Sequence, residues 1–275
     1  MRGGMTEALS LGFFQRALLA GVLLSVLCGI LAVFVLLRRM AFIGVGISHS
    51  AFGGVALGLL LGLDPLWSGI SFAVTVALLI EWARERGKLE EDAAIGILFA
   101  SAMALGVLFL HLSGTYNVDV FGFLFGNILA VGRRQVVEIA VVTLGVLGVV
   151  AAFYKELVFL SFDEEMAWVS GVPVKALRYL FLVLLALVIL MAMYLVGIIL
   201  VSALLVIPGA IARNLSRHLT AMLWVSVGAA VCATLGGLFL SYYLDWPSGA
   251  TVVLGLSLMF FLSQVSRSWF PPERD

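Results

Sequence analysis

Charge is the scarcest thing in this chain of 275 residues: only 12% are Asp, Glu, Lys or Arg, against about a quarter in a soluble domain. Basic and acidic residues number 16 each, so the formal net charge is zero. No excess of positive charge is available to build a basic face, which excludes nucleic acid as a partner. Histidines number three. Within the apolar runs no His, Asp or Glu cluster has ligand spacing, which argues against a membrane enzyme. No relay of carboxylates crosses them either, which weighs against a proton-coupled carrier. The two cysteines, Cys28 and Cys232, sit in apolar runs and are expected to be small buried hydrophobes rather than a disulfide or metal pair. No cleavable leader is expected from the pattern: the first apolar run is too long and lacks a small-residue cleavage site.

What is present is hydrophobic side chain, 63% of residues, with a mean hydropathy of +1.18. The strict alternation of a transmembrane β-barrel is absent. About 20 apolar residues carry a helix across a bilayer. Spans are therefore predicted at Phe13–Leu37, Ala41–Leu63, Leu66–Trp82, Ala93–Leu112, Val136–Tyr154, Ala176–Met193, Leu195–Ala212, Leu219–Tyr243 and from Ser248 to Phe261 or slightly beyond. Leu195–Ala212 contains Gly197, Pro208 and Gly209 and is a candidate for a broken helix, so the count is eight or nine. The expected fold class is an all-α polytopic membrane protein, one transmembrane domain over residues 1–275.

Val118–Val131, "VDVFGFLFGNILAV", is too short for a crossing and reads as re-entrant or interfacial. Charge tests that choice. If the segment does not cross, Arg38, Arg39, Arg84, Arg86, Lys88, Lys155, Lys175, Arg178, Arg213, Arg217, Arg267 and Arg274 share one side, against Arg2, Arg16, Arg133 and Arg134. If it crosses, the asymmetry disappears. The positive-inside rule favours the first arrangement, with the N-terminus outside and the C-terminus cytoplasmic.

The longest cytoplasmic loop, 155–178, reads as structured. Ser161 and Glu164 form a capping-box pattern. Asp163, Glu164 and Glu165 suit a first helical turn, and Gly171 and Pro173 end the helix. Phe162, Met166 and Val169 fall on one face. That face either lies back on the bilayer or docks a cytoplasmic partner.

Most ionisable residues have local explanations. Asp64 and Asp245 precede prolines and are read as turn residues. Glu138 is placed near Arg134, one helical turn away. His49 is different, lying about nine residues into its span. Beside it runs a stripe of small residues, Gly46, Ser50, Gly54, Gly58 and Gly62, of the kind that lets helices pack backbone to backbone. His49 either hydrogen-bonds a neighbouring helix or faces a pathway as a ligand for a transition metal.

Four blocks resemble the permease subunits of metal-ion ABC importers: "FIGVGISHSAFGGVALGLLLG", "EDAAIGILFASAMALGVLFL", "VDVFGFLFGNILAV", and "YLVGIILVSALLVIPGAIARNLSRH" with "DWPSGATVVLG". The last is also similar to vitamin B12 and siderophore importers. The resemblance implies a homodimeric permease for a zinc, manganese or iron ion, with the pathway at the two-fold axis. It implies a pathway site of His49, Ser48, Ser50 and Asp119. A coupling helix with Phe162, Glu165, Met166, Ala167, Val169 and Gly171 would seat a cytoplasmic ATPase dimer, and Gly46, Gly54, Gly58 and Gly62 would pack helices. The implied partners are a second copy of the chain, that ATPase, an extracytoplasmic metal-binding protein and membrane lipid. No cofactor is expected to be bound permanently. The chain has no Walker sequence, so ATP is expected on the partner. One departure stands out: the family commonly carries Asp four residues before the histidine, and here that residue is Val45. Alternatives are a permease for a metal chelate or cobalamin-like cofactor, or an ATP-independent carrier or channel.

Overall fold

The computed structural model describes residues 10–87, 90–114, 126 and 128–269, with only the backbone at 91 and 267–269. Among these residues all regular structure is helical. The helices are α1 (Gly12–Leu37), α2 (Ile43–Leu61), α3 (Pro65–Gly87), α4 (Glu91–Ser113), α5 (Arg133–Ala152), α6 (Tyr154–Phe162), α7 (Glu164–Val169), α8 (Val174–Val196), α9 (Ile198–Leu204), α10 (Ile207–Leu215), α11 (Leu219–Leu244) and α12 (Ser248–Trp269). A 3-10 turn, Ile128–Ala130, precedes α5. Nine stretches among the described residues are long and apolar enough to span a membrane, with α9 and α10 together forming the seventh. That span begins at Ile198, not Leu195, because Gly197 turns the chain with φ 84°. It is broken at Leu205 and Val206. Pro208 and Gly209 lie in the first turn of α10, where a proline needs no hydrogen bond.

Short connections make successive helices run in alternate directions, and one contact fixes the turn-round after α4. Arg16 at the start of α1 donates Nε to the Val131 carbonyl at 3.0 Å. The start of α5 therefore lies at the same end of the bundle as the start of α1, which is also where α4 finishes. The described residues on either side of that connection thus lie at one end of the bundle. Gly126 agrees, because its backbone abuts Val196 and Gly197 at the far end of α8. Asp119 and most of Val118–Val131 lie outside the described residues.

Lipid gives helices no hydrophobic reason to associate, so close packing and internal hydrogen bonds hold them. Ser25 on α1 donates to Thr234 on α11 at 2.7 Å, and Ser226 donates to the Gly29 carbonyl at 2.6 Å. Phe34 of α1 packs between Tyr154 and Phe181, with centroids 6.5 and 6.3 Å away. Cys28 is buried as expected. Cys232 is exposed on the outer face of α11 instead, and the two thiols are free.

The loop helix differs from the sequence expectation. Ser161 is not its cap: that residue belongs to α6 and bonds back to the Leu157 carbonyl at 2.7 Å. Asp163 is extended (φ −151°, ψ 102°), and its carboxylate accepts from Met166 N at 2.9 Å. The helix is therefore only six residues, starting at Glu164, and is separated from α6 by a single residue.

Candidate functional site

The His49 helix is held by bare backbone. A Cβ on Gly54 would lie 2.8 Å from the Ser68 carbonyl and 2.9 Å from Gly69 Cα, both on α3. On Gly46 it would lie 2.5 Å from Ile95 Cγ2 of α4, and on Gly58 it would meet Ser68 and Pro65. These three glycines pack against neighbouring helices with no room for a side chain. Gly62 does not: nothing lies within 4 Å of its missing Cβ, and with φ 67° it caps α2 in the left-handed region. Asp64 then starts α3, accepting from Leu66 N and Trp67 N.

His49 is half-buried between its own helix and α4. Its Nδ1 lies 2.9 Å from the Val45 carbonyl. A carbonyl only accepts, so Nδ1 is the donor in this contact, and in the neutral ring that places the lone pair on Nε2. The ring meets Phe99 of α4 edge to face, with centroids 5.4 Å apart. One imidazole nitrogen is thus held by the backbone, and in the neutral ring the other can accept a hydrogen bond or ligate. Ser48 and Ser50 do not join it. Both are fully buried, with hydroxyls bonded to the Gly44 and Gly46 carbonyls at 2.6 and 2.7 Å. No group of three or more His, Cys, Asp or Glu that could hold a metal occurs among the described residues.

A second surface forms at the end of the bundle that carries most of the basic residues. Phe162, Met166, Trp168 and Val169 are all exposed there. Ala167 alone in α7 is fully buried, packing with Leu160, Val174 and Leu177. Gly171, at φ 82°, closes the helix: its N–H reaches the Trp168 carbonyl, and Val172 N–H reaches that of Ala167. Phe162, Glu165, Trp168 and Val169 line an open groove of about 860 Å³. Trp168 lies outside the set read from the sequence and stands exposed at the same groove.

Residues 10–267 match the ABC 3 transport family. The chain belongs to that family. Among relatives of this ABC 3 protein, the manganese transport system membrane protein MntC of Halalkalibacterium halodurans is 38% identical over 258 residues, 94% of this chain and 88% of that one. The high-affinity zinc uptake system membrane protein ZnuB of Haemophilus influenzae is 33% identical over 251 residues, 91% and 96% of the two chains. The structure of PsaBC from Streptococcus pneumoniae in complex with Fab superposes with a TM-score of 0.82 at 34% identity, covering 94% of this chain and 93% of that one. An inward-facing metal-chelate type ABC transporter shares the fold, with a TM-score of 0.76 at 17% identity.

The ABC 3 chain also carries a set of ion pairs, centred on Glu81, that the sequence reading passed over. Glu81 near the end of α3 is 1% exposed. It accepts from Arg84 at 2.6 Å and from Arg178 of α8 at 3.2 Å. Arg178 also pairs with Glu164 of α7. Beside this group, Lys175 and Glu85 pair at 2.9 Å. The only signal in the sequence is an i, i+3 Glu–Arg pair closing an apolar run.

Proposed function

We propose that this chain is the transmembrane permease subunit of an ABC importer that moves a divalent transition-metal ion, zinc, manganese or iron, into the cytoplasm. The observation that carries the reading is the match to the ABC 3 transport family over residues 10–267, with manganese and zinc transport proteins among the relatives. The chain works as one permease domain, paired with a second copy. The end bearing Arg84, Lys175 and Arg178 is cytoplasmic, so the C-terminus is cytoplasmic and the N-terminus outside. There the α7 face, Phe162, Glu165, Met166, Val169 and Trp168, seats an ATPase dimer. Ala167 anchors α7 to the bundle and Gly171 ends it. ATP binds to that partner and not to this chain, which is no enzyme. An extracytoplasmic protein delivers the ion at the opposite end.

His49 is the pathway residue on α2. Its Nε2 lone pair is a borderline ligand suited to zinc or iron, and without an Asp at position 45 the helix offers less to hard manganese. Ser48 and Ser50 shape the helix instead of facing the ion, and Asp119 joins the pathway from the segment before α5. Small residues bring α2 against α3 and α4, so movement of those helices changes access past His49. The test is co-purification: the chain is expected to isolate with an ABC ATPase whose hydrolysis responds to zinc or manganese. Isolation without any ATPase, with transport surviving ATP depletion, rejects the reading in favour of a carrier or channel.

A further inference from the structure

Three helices that do different work meet at one guanidinium. Arg178 lies one turn into α8. Its two terminal nitrogens go to different carboxylates: one donates to Glu81 of α3 at 3.2 Å, and the other pairs with Glu164 of α7. Glu81 is buried, the Arg178 side chain is 13% exposed, and Glu164 is 42% exposed. Buried Glu81 is neutralised by two guanidinium groups, Arg84 at 2.6 Å and Arg178 at 3.2 Å, and the second contact ties Arg178 to the bundle side. Little else holds α7. It has six residues, one of them fully buried, and its other apolar side chains face outward.

We propose that Arg178 is a positioning residue that ties α7 to α3, and through α3 to the helix bearing His49. Glu164 starts α7, so a push on the exposed face of α7 pulls directly on the guanidinium. Arg178 passes the displacement to Glu81. From Glu81, α3 runs 12 residues, about 18 Å at 1.5 Å per residue, to Gly69, which lies against Gly54 of α2 with no side chain between the backbones. Rigid helices joined by ion pairs and by direct backbone contact move together. A lysine at position 178 keeps the charge but has a single ammonium in place of a fork, and so does not hold two carboxylates as separate arms.

This inference rests on the permease reading, and its test separates the two. The full chain is reconstituted in vesicles with its ATPase subunit and binding protein. Zinc(II) and manganese(II) moved per ATP hydrolysed are measured for wild type, Arg178→Lys, Glu164→Gln and the double variant. The ratio is expected to fall about tenfold in each single variant. The double variant is expected to fall no further, because both changes break one tie. Thermal stability and ATPase co-purification are expected to stay near wild type for the more exposed Glu164→Gln, so a loss of ratio there is not a loss of fold. An unchanged ratio in both single variants overturns the tie, as does a double variant in which the two losses multiply. Absence of ATP-driven uptake by the wild type rejects the permease reading and the tie with it.

Discussion

The Nδ1 atom of His49 lies 2.9 Å from the carbonyl oxygen of Val45, at the position where a resemblance to metal-ion permeases leads one to expect an aspartate side chain. The Val45 backbone holds the ring through Nδ1, and Val45 supplies no side-chain ligand beside it. His49→Ala is therefore expected to abolish metal uptake while leaving expression and ATPase association intact. Val45→Asp restores a hard oxygen donor on the same face and is expected to shift preference toward manganese over zinc. Competition between the two ions during uptake checks both outcomes.

Backbone contact between α2 and α3 makes a different prediction. A Cβ on Gly54 would meet Phe72 Cβ at 2.5 Å as well as the Ser68 carbonyl, and backbone does not move aside cheaply. Gly54→Val is expected to cost about 1–3 kcal/mol or more by overpacking and to lower the yield of folded protein. Gly62→Ala meets no neighbour and strains only the left-handed backbone, about 1 kcal/mol; Gly62→Asn is expected to cost less. Thermal unfolding in detergent ranks the three.

At the start of α7 the cap is Asp163 and not Ser161. Asp163→Ala removes the carboxylate that caps Met166 N and is expected to destabilise α7 by about 1 kcal/mol. Ser161→Ala removes only a bond back into α6 and is expected to leave α7 unchanged. Hydrogen exchange at the Met166 and Ala167 amides distinguishes them.

On the outward face of α7, Trp168→Ala is expected to weaken ATPase binding about tenfold or more, as buried interface tryptophans do, without changing the stability of the permease alone. Glu165→Arg is expected to uncouple the ATPase. Pull-down with the ATPase subunit, and ATP hydrolysis in the complex, read out the two effects.

The spans were legible because 20 consecutive apolar residues form a local signal that needs no partner. The break between α9 and α10 was legible only in part. Pro208 and Gly209 announce it, but they sit just inside α10, while the irregular residues are Leu205 and Val206. The helical stripe puts Gly46, Gly54 and Gly58 on one face, and small residues allow close approach wherever they face. It did not say what a face packs against, so Ser48 and Ser50 read as candidates for a pathway from which their own back-bonding removes them. Ser161 and Asp163 are equally good caps by residue type. The choice is made by the chain leaving the helix at 163, a backbone event that side-chain preferences do not determine. Glu81 was missed because its second partner, Arg178, is 97 residues away. Ion pairs at that separation leave no local pattern.

The account's central claim is that this chain carries a divalent metal ion past His49 at the cost of ATP. It is tested most directly by measuring zinc, manganese and iron accumulation, element by element, in cells that make the chain with its ATPase, with His49→Ala, or without the chain. The account predicts ATP-dependent accumulation of at least one of the three ions with the wild-type chain and loss of it in His49→Ala. Wild-type accumulation in the variant contradicts the role of His49; accumulation that persists after ATP depletion, or that requires a chelate, contradicts the assignment as a metal-ion ABC permease.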